Sequence, residues 1–108
     1  MNVYILSLDG GHHVWEFPAG QLPIRIGRHP GVEVQLDDDS VSDFHCQIDE
    51  LNGVLWVRDL GSQEGTFVNG FHVVQSHLMP SDRLTVGMTN LQVRYQGKQA
   101  AVGEEVFA

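Results

Sequence analysis

Cysteines, basic residues and long apolar runs are all scarce in this sequence. The single cysteine, Cys46, cannot form a disulfide within the chain, and the N-terminus lacks the basic region and apolar core of a signal peptide. No apolar run is long enough to span a bilayer. Six Lys and Arg residues stand against fourteen Asp and Glu residues, giving a formal charge of -8, whereas nucleic acids and anionic membranes bind basic surfaces. These absences exclude both as general partners and predict a cytoplasmic location.

The sequence also lacks the motifs of common catalytic and metal sites. The glycine-containing loop 61–65 is not followed by the Gly-Lys-Ser/Thr of a P-loop, and the acidic run 37–39 lacks the glycine and distal glutamate of an EF-hand. No nucleophile elbow surrounds Ser42. The six histidines are not spaced as ligands on one face of a strand or helix. We therefore predict no enzymatic activity, no cofactor and no metal site.

The sequence does contain many short β-prone runs in which apolar and polar residues alternate. Turn residues separate these runs about every eight to twelve positions, which is typical of a β-sandwich or barrel. Asn52-Gly53 and Asn69-Gly70 predict tight hairpins, because both central residues of a type I′ turn need a positive φ. With 108 residues, 42% of them hydrophobic, the chain is long enough for one core. We predict one all-β domain over residues 1–96 and a flexible tail or linker start over residues 97–108.

The predicted strands are residues 3–8, 12–17, 23–27, 32–36, 46–51, 54–58, 66–68, 71–74, 83–86 and 91–95.

The stretch 59–70, D-L-G-S-Q-E-G-T-F-V-N-G, is the most informative part of the chain. Read with Ile26-Gly27-Arg28 and Ser42-Asp43-Phe44-His45 upstream, it resembles the signature of the forkhead-associated (FHA) domain. That signature is a Gly-Arg, then Ser-x-x-His, then Asp-x-x-Ser-x-Asn-Gly-Thr-x-x-x-Gly. Three motifs in this order are far more specific than any one of them alone. The resemblance covers residues 24–93, which is most of the chain.

The resemblance implies an antiparallel β-sandwich of the FHA/SMAD-like type, with the three motifs on neighbouring binding loops at one end. It also implies a phosphothreonine pocket in which Arg28 binds the phosphate and the Ser42 hydroxyl donates to it. Phosphothreonine carries a charge of about -1.5 to -2 and three acceptor oxygens, so guanidinium and hydroxyl donors suit it. The chain is then expected to be a non-catalytic interaction module in signal transduction, with a phosphorylated protein as its partner.

The other positions that match the family have structural roles there. Gly27 matches a family glycine that lets the strand end turn sharply. His45 matches a family histidine that braces its loop without touching the ligand. The full set of these positions is Gly27, His45, Gly65, Thr66, Asn69 and Gly70.

Two positions depart from the family's pattern. Glu64 replaces an Asn that hydrogen-bonds the peptide backbone, and an ionised carboxylate only accepts hydrogen bonds whereas an amide also donates them. Asp43 follows Ser42 where a basic residue is common. A carboxylate about 6 Å from a phosphate charge costs roughly 2 to 3 kcal/mol at an effective dielectric near 20, before salt screening. Gln63 can supply an amide in place of the missing one, and we include Gln63, Glu64 and Asp43 among the predicted peptide-binding residues.

Two hypotheses follow from these observations. The domain either reads phosphothreonine through Arg28 and Ser42, or it is a degenerate FHA domain that acts as a phospho-independent interaction or assembly module. The sequence leaves open the partner protein, the preferred peptide and the oligomeric state.

Overall fold

A computed structural model describes residues 1–11 and 13–97, which form two β-sheets and one short 3₁₀ helix, Ala19–Gln21. Apart from Gly97, the predicted tail over 97–108 lies outside the described residues. The strands are β1 (Asn2–Ser7), β2 (Val14–Pro18), β3 (Ile24–Gly27), β4 (Val34–Gln35), β5 (Cys46–Leu51), β6 (Val54–Asp59), β7 (Thr66–Val68), β8 (Phe71–Val73), β9 (Gln75–Leu78), β10 (Arg83–Val86) and β11 (Thr89–Tyr95).

The two sheets pack face to face as a sandwich around a single core. The first sheet has the order β2-β1-β11-β10-β7-β8, and the second has the order β4-β3-β5-β6-β9. Neighbouring strands are antiparallel except β3 and β4, which are parallel. Successive side chains of a strand point to opposite faces of its sheet, and one face points inwards. In β1, Val3 and Ile5 are therefore fully buried, whereas Asn2 and Tyr4 are exposed. The predicted all-β sandwich is confirmed.

Aliphatic side chains from both sheets form the core. Burying one such side chain fully contributes about 1.5 to 3 kcal/mol. The fully buried members include Val3, Ile5, Ile24, Ile26, Ile48, Leu55, Val57, Leu84, Val86, Leu91 and Val93.

One polar group also joins the sheets inside this core. The Tyr95 hydroxyl on β11 donates to the Leu78 carbonyl at 2.6 Å and accepts from the Leu55 N–H at 3.2 Å. The phenol therefore links the first sheet to β6 and β9 of the second.

Both predicted Asn-Gly hairpins are present. Asn52 and Gly53 have φ values of 54° and 81°, and Asn69 and Gly70 have φ values of 51° and 85°. Positive values at both positions match a type I′ turn, whose twist suits the flanking strands. These turns fix the register of β5 with β6 and of β7 with β8.

Several predicted strands differ from the structure by one or two residues at their ends, and two differ more. The run 32–36 contributes only the two residues of β4, because it pairs solely with the end of β3, at Ile26 and Gly27. The edge strand β9 was not predicted at all. Its sequence Gln-Ser-His-Leu has one buried residue, Leu78, so hydrophobic alternation gives too weak a signal to identify it.

Candidate functional site

Three loops meet at one end of the sandwich and line a cleft of about 290 Å³. The loops are those that follow β3, precede β5 and join β6 to β7. We call this site the Arg28 cleft; its lining residues are Arg28, Asp39, Ser40, Val41, Ser42, Asp43 and Gln63. Four of the five residues predicted to bind a peptide therefore lie together. The fifth, Glu64, is exposed and does not line the cleft.

Backbone hydrogen bonds hold the first two loops against each other. The Arg28 N–H donates to the Ser42 carbonyl at 3.0 Å, and the His29 N–H donates to the Asp43 carbonyl at 3.2 Å. A Cβ at Gly27 would lie 2.0 Å from that Asp43 carbonyl oxygen. Gly27 is therefore required for this close approach of two backbones, whereas the sequence analysis assigned it to a sharp turn.

His45 joins the second loop to the third from inside the fold. Its fully buried ring accepts the Ser42 N–H at Nδ1, 3.1 Å away, and its Nε2 lies 2.8 Å from the Gly65 carbonyl oxygen. A carbonyl only accepts, so Nε2 carries the proton and Nδ1 is the acceptor. The geometry thus specifies one neutral tautomer and gives His45 a structural role, outside the lining of the cleft.

Asp59 at the end of β6 organises the third loop. Its carboxylate accepts the Gly61 and Ser62 N–H groups at 2.9 Å each, the Ser62 hydroxyl at 2.5 Å and the Thr66 hydroxyl at 2.7 Å. Burial alone would raise the pKa of Asp59, but these hydrogen bonds outweigh it and hold the pKa below its ordinary value. Asp59 is the Asp that opens the third motif of the family signature, and an Asp two residues before a Gly is a turn signal, but no role was predicted for its side chain.

The remaining motif residues complete this loop and the hairpin beyond it. Gly65 has a φ of 99°, and its N–H donates to the Ser62 hydroxyl oxygen at 3.0 Å. The Asn69 side chain accepts the Arg83 N–H and donates to the Asp82 carboxylate, each at 2.9 Å. The β7–β8 turn is therefore held to the turn that precedes β10.

Ser42 is placed to donate into the cleft. Its hydroxyl oxygen accepts the backbone N–H of Gln63 at 3.1 Å. That bond occupies a lone pair and leaves the hydroxyl hydrogen available to a ligand. The same contact holds Gln63 beside Ser42 in the lining of the cleft.

The charges of the cleft are unfavourable for an anion. Within the described residues its lining contains one cation, Arg28, and two carboxylates, Asp39 and Asp43. The Arg28 guanidinium forms an ion pair with Asp39, with Nη2 3.6 Å from Oδ1. Asp43 was predicted to lie at the site, but Asp39 was not. The position of Asp39 depends on contacts with residues that are distant in the chain.

A larger groove of about 960 Å³ lies over β1 and β11. Its lining has one charged side chain, Arg94, and none of the motif residues. The Arg28 cleft is the better candidate because donors for a specific ligand converge there.

Within residues 1–11 and 13–97, no three or more His, Cys, Asp or Glu side chains are arranged so that they could hold one metal ion. Over the same residues, no helix has the length and hydropathy needed to cross a membrane.

This fold and site define a class of protein: a β-sandwich interaction domain whose loops present a guanidinium and a hydroxyl at one end. A sequence model of the FHA domain matches residues 24–87, which is more than half of the chain. The chain belongs to the FHA domain family. The predicted FHA domain is confirmed.

Named relatives support the same assignment. The glycogen accumulation regulator GarA of Mycolicibacterium smegmatis is 37% identical over 75 residues, which are 69% of this chain and 48% of GarA. The oxoglutarate dehydrogenase inhibitor of Corynebacterium diphtheriae is 35% identical over 65 residues, which are 60% of this chain and 46% of the inhibitor. The chain thus spans about half the length of the curated relatives it matches.

Solved structures agree over almost the whole domain. A structure from a study of phosphothreonine-dependent FHA domain interactions is 27% identical, with a TM-score of 0.81, and the match covers 89% of this chain and 98% of that one. The FhaA FHA domain, complexed with the intracellular domain of Rv3910, is 28% identical with a TM-score of 0.78, covering 85% of this chain and 99% of that one.

Proposed function

We propose that this domain binds phosphothreonine peptides in the Arg28 cleft and that Arg28 and Ser42 hold the phosphate. The observation that carries the proposal is their placement: both line one cleft, and a 3.0 Å backbone hydrogen bond joins them. Charge-assisted hydrogen bonds contribute about 1.5 to 3 kcal/mol each, roughly twice as much as neutral ones. A guanidinium and a hydroxyl held this way supply such bonds to phosphate oxygens.

The peptide backbone is bound by the third loop. Gln63 lines the cleft and offers a side-chain amide, which both donates and accepts. Glu64 is exposed next to it and can accept an N–H from the peptide. Asp43 lines the cleft and lowers the affinity for the phosphate by repulsion.

The biological role is that of an adaptor in signal transduction. GarA is named as a regulator and its corynebacterial counterpart as an inhibitor, which is consistent with action by binding a phosphorylated partner protein. A cytoplasmic location agrees with the single buried thiol, Cys46.

Fluorescence anisotropy with a degenerate phosphothreonine peptide library tests the proposal. The unphosphorylated and phosphoserine libraries serve as ligand controls. Arg28→Ala should abolish binding. The matched variant Arg94→Ala removes an exposed arginine from β11, which is in the sheet that does not contain β3. It should change the affinity less than about twofold. Binding that survives Arg28→Ala, or that does not need the phosphate, would overturn the proposal.

One observation favours the alternative of a phospho-independent interaction module: among the described residues, the cleft is lined by two carboxylates and one cation. The double variant Asp43→Arg with Glu64→Asn separates the two functions. If the wild-type domain does not bind phosphopeptides and the double variant does, the natural cleft is degenerate. If the wild type binds and the double variant adds little, the phosphothreonine function is established.

A further inference from the structure

In the loop between β4 and β5, the residues next to Asp39 hold its backbone in place at the cleft. Asp38 accepts the Ser40 N–H at 2.8 Å and the Thr89 hydroxyl at 3.0 Å. The Ser40 hydroxyl oxygen accepts the Met88 N–H at 2.8 Å. The residues on both sides of Asp39 are therefore bonded to the β10–β11 turn and to the first residue of β11.

Asp39 itself is held only weakly. Its side chain is fully exposed, at 102% of the reference area, and its one ion pair in the described part of the chain is the 3.6 Å contact with Arg28. Water screens an exposed pair of this kind, so it contributes little to stability. The carboxylate can therefore leave Arg28 at little cost while the loop backbone keeps its position.

We propose that Asp39 is an internal competitor of the phosphate: it pairs with Arg28 in the free domain and is displaced when a phosphothreonine binds. This inference rests on the proposed function. A ligand must break the Arg28–Asp39 pair before it gains the guanidinium, and the displaced carboxylate remains near the phosphate and repels it. Both effects lower the affinity, and both depend on the position of Asp39 as well as on its charge.

Asp39→Asn is the direct test, with Asp37→Asn as its matched control. Asp37 belongs to the same acidic run and is exposed, but it does not line the Arg28 cleft. The two variants therefore remove the same charge from neighbouring positions. We expect Asp39→Asn to tighten phosphothreonine peptide binding about 3- to 10-fold and Asp37→Asn to change it less than twofold. The gain from Asp39→Asn should shrink as salt rises from about 0.05 to 0.5 M, because salt screens exposed charges.

NMR of the ligand-free protein keeps this inference separable from the proposed function. The Arg28 side-chain Nε–H resonance should shift in Asp39→Asn and not in Asp37→Asn. If the wild type binds in an Arg28-dependent way but Asp39→Asn binds no tighter than Asp37→Asn, the competitor role is wrong and the proposed function stands. If no variant binds phosphopeptide while the Arg28 resonance still reports the pair, the proposed function fails, and the competitor role fails with it.

Discussion

Replacing Asp59 by Ala should destabilise the domain by about 3 kcal/mol. The change removes the acceptor of four hydrogen bonds, from the Gly61 and Ser62 N–H groups and from the Ser62 and Thr66 hydroxyls. Water can satisfy the exposed Gly61 N–H, but Thr66 is fully buried. An orphaned buried donor costs about 1 to 3 kcal/mol, and each of the other lost bonds adds about 0.5 to 1.5 kcal/mol. The loss is large against a typical total stability of 5 to 15 kcal/mol.

The stabilisation by Asp59 should also depend on pH, with a sign fixed by its lowered pKa. Because hydrogen bonds to the carboxylate hold the folded-state pKa below the ordinary value, the contribution is complete above the unfolded-state pKa of about 3.9. It is lost as the pH falls through the folded-state pKa. The difference in unfolding free energy between wild type and Asp59→Ala should therefore be largest near neutral pH and decrease below about pH 4.

Urea unfolding followed by tryptophan fluorescence, at neutral pH and at several acidic pH values, measures both effects. Asp37→Asn is the control, because that side chain is exposed and its neutralisation should change stability by less than about 0.5 kcal/mol. Two results would refute the role assigned to Asp59: a loss below about 0.5 kcal/mol at neutral pH, or a difference that stays constant into the acid range.

Three further changes test other parts of the structure. Gly27→Ala places a Cβ 2.0 Å from the Asp43 carbonyl oxygen, so it should lower the urea midpoint and weaken phosphopeptide binding together; unchanged binding would contradict the close approach. Tyr95→Phe leaves two buried backbone groups without their partner and should cost about 1 to 3 kcal/mol in urea unfolding, whereas a neutral effect would mean that the phenol does not link the sheets. Cys46 is fully buried, and its burial, together with the smaller effect of the nearby Asp59 charge, raises the pKa of its thiol. A thiol reagent should therefore label Cys46 only after denaturation. Rapid labelling of the native protein would contradict this burial.

The predictable part of the fold is the part encoded by short-range signals. Asn52-Gly53 and Asn69-Gly70 predict their hairpins because few other residue pairs tolerate two positive φ values. Strands such as β1 and β5 follow from alternation, since one face of each is buried. By contrast β9 has a polar sequence and is a strand because β6 offers it an unpaired edge, which is a property of the assembled sheet.

The candidate site likewise has residues that could be predicted from the sequence and one, Asp39, that could not. The resemblance to the FHA family implies that Arg28, Ser42 and Gln63 belong to one site, and the structure places all three in the lining of one cleft. Nothing near Asp39 in sequence predicts its position over the guanidinium. That position depends on bonds that join Asp38 and Ser40 to Thr89 and Met88, about fifty positions later, at the start of β11 and in the turn before it. Only the folded structure could therefore show it.

The proposed function requires a cleft with more carboxylates than cations in its described lining to bind a phosphate, and the hydrogen bonds within the site support this. Backbone hydrogen bonds join the first loop to the second, the His45 ring joins the second to the third, and the Asp59 carboxylate holds the third loop together. A ligand therefore does not have to order the loops, and the entropy cost of binding is reduced accordingly. The charge deficit lies instead on exposed side chains, Asp39 and Asp43. Substitution at these two positions should tune affinity with little effect on stability, whereas substitution at His45 should alter both, because the same buried ring supports the fold and positions Ser42.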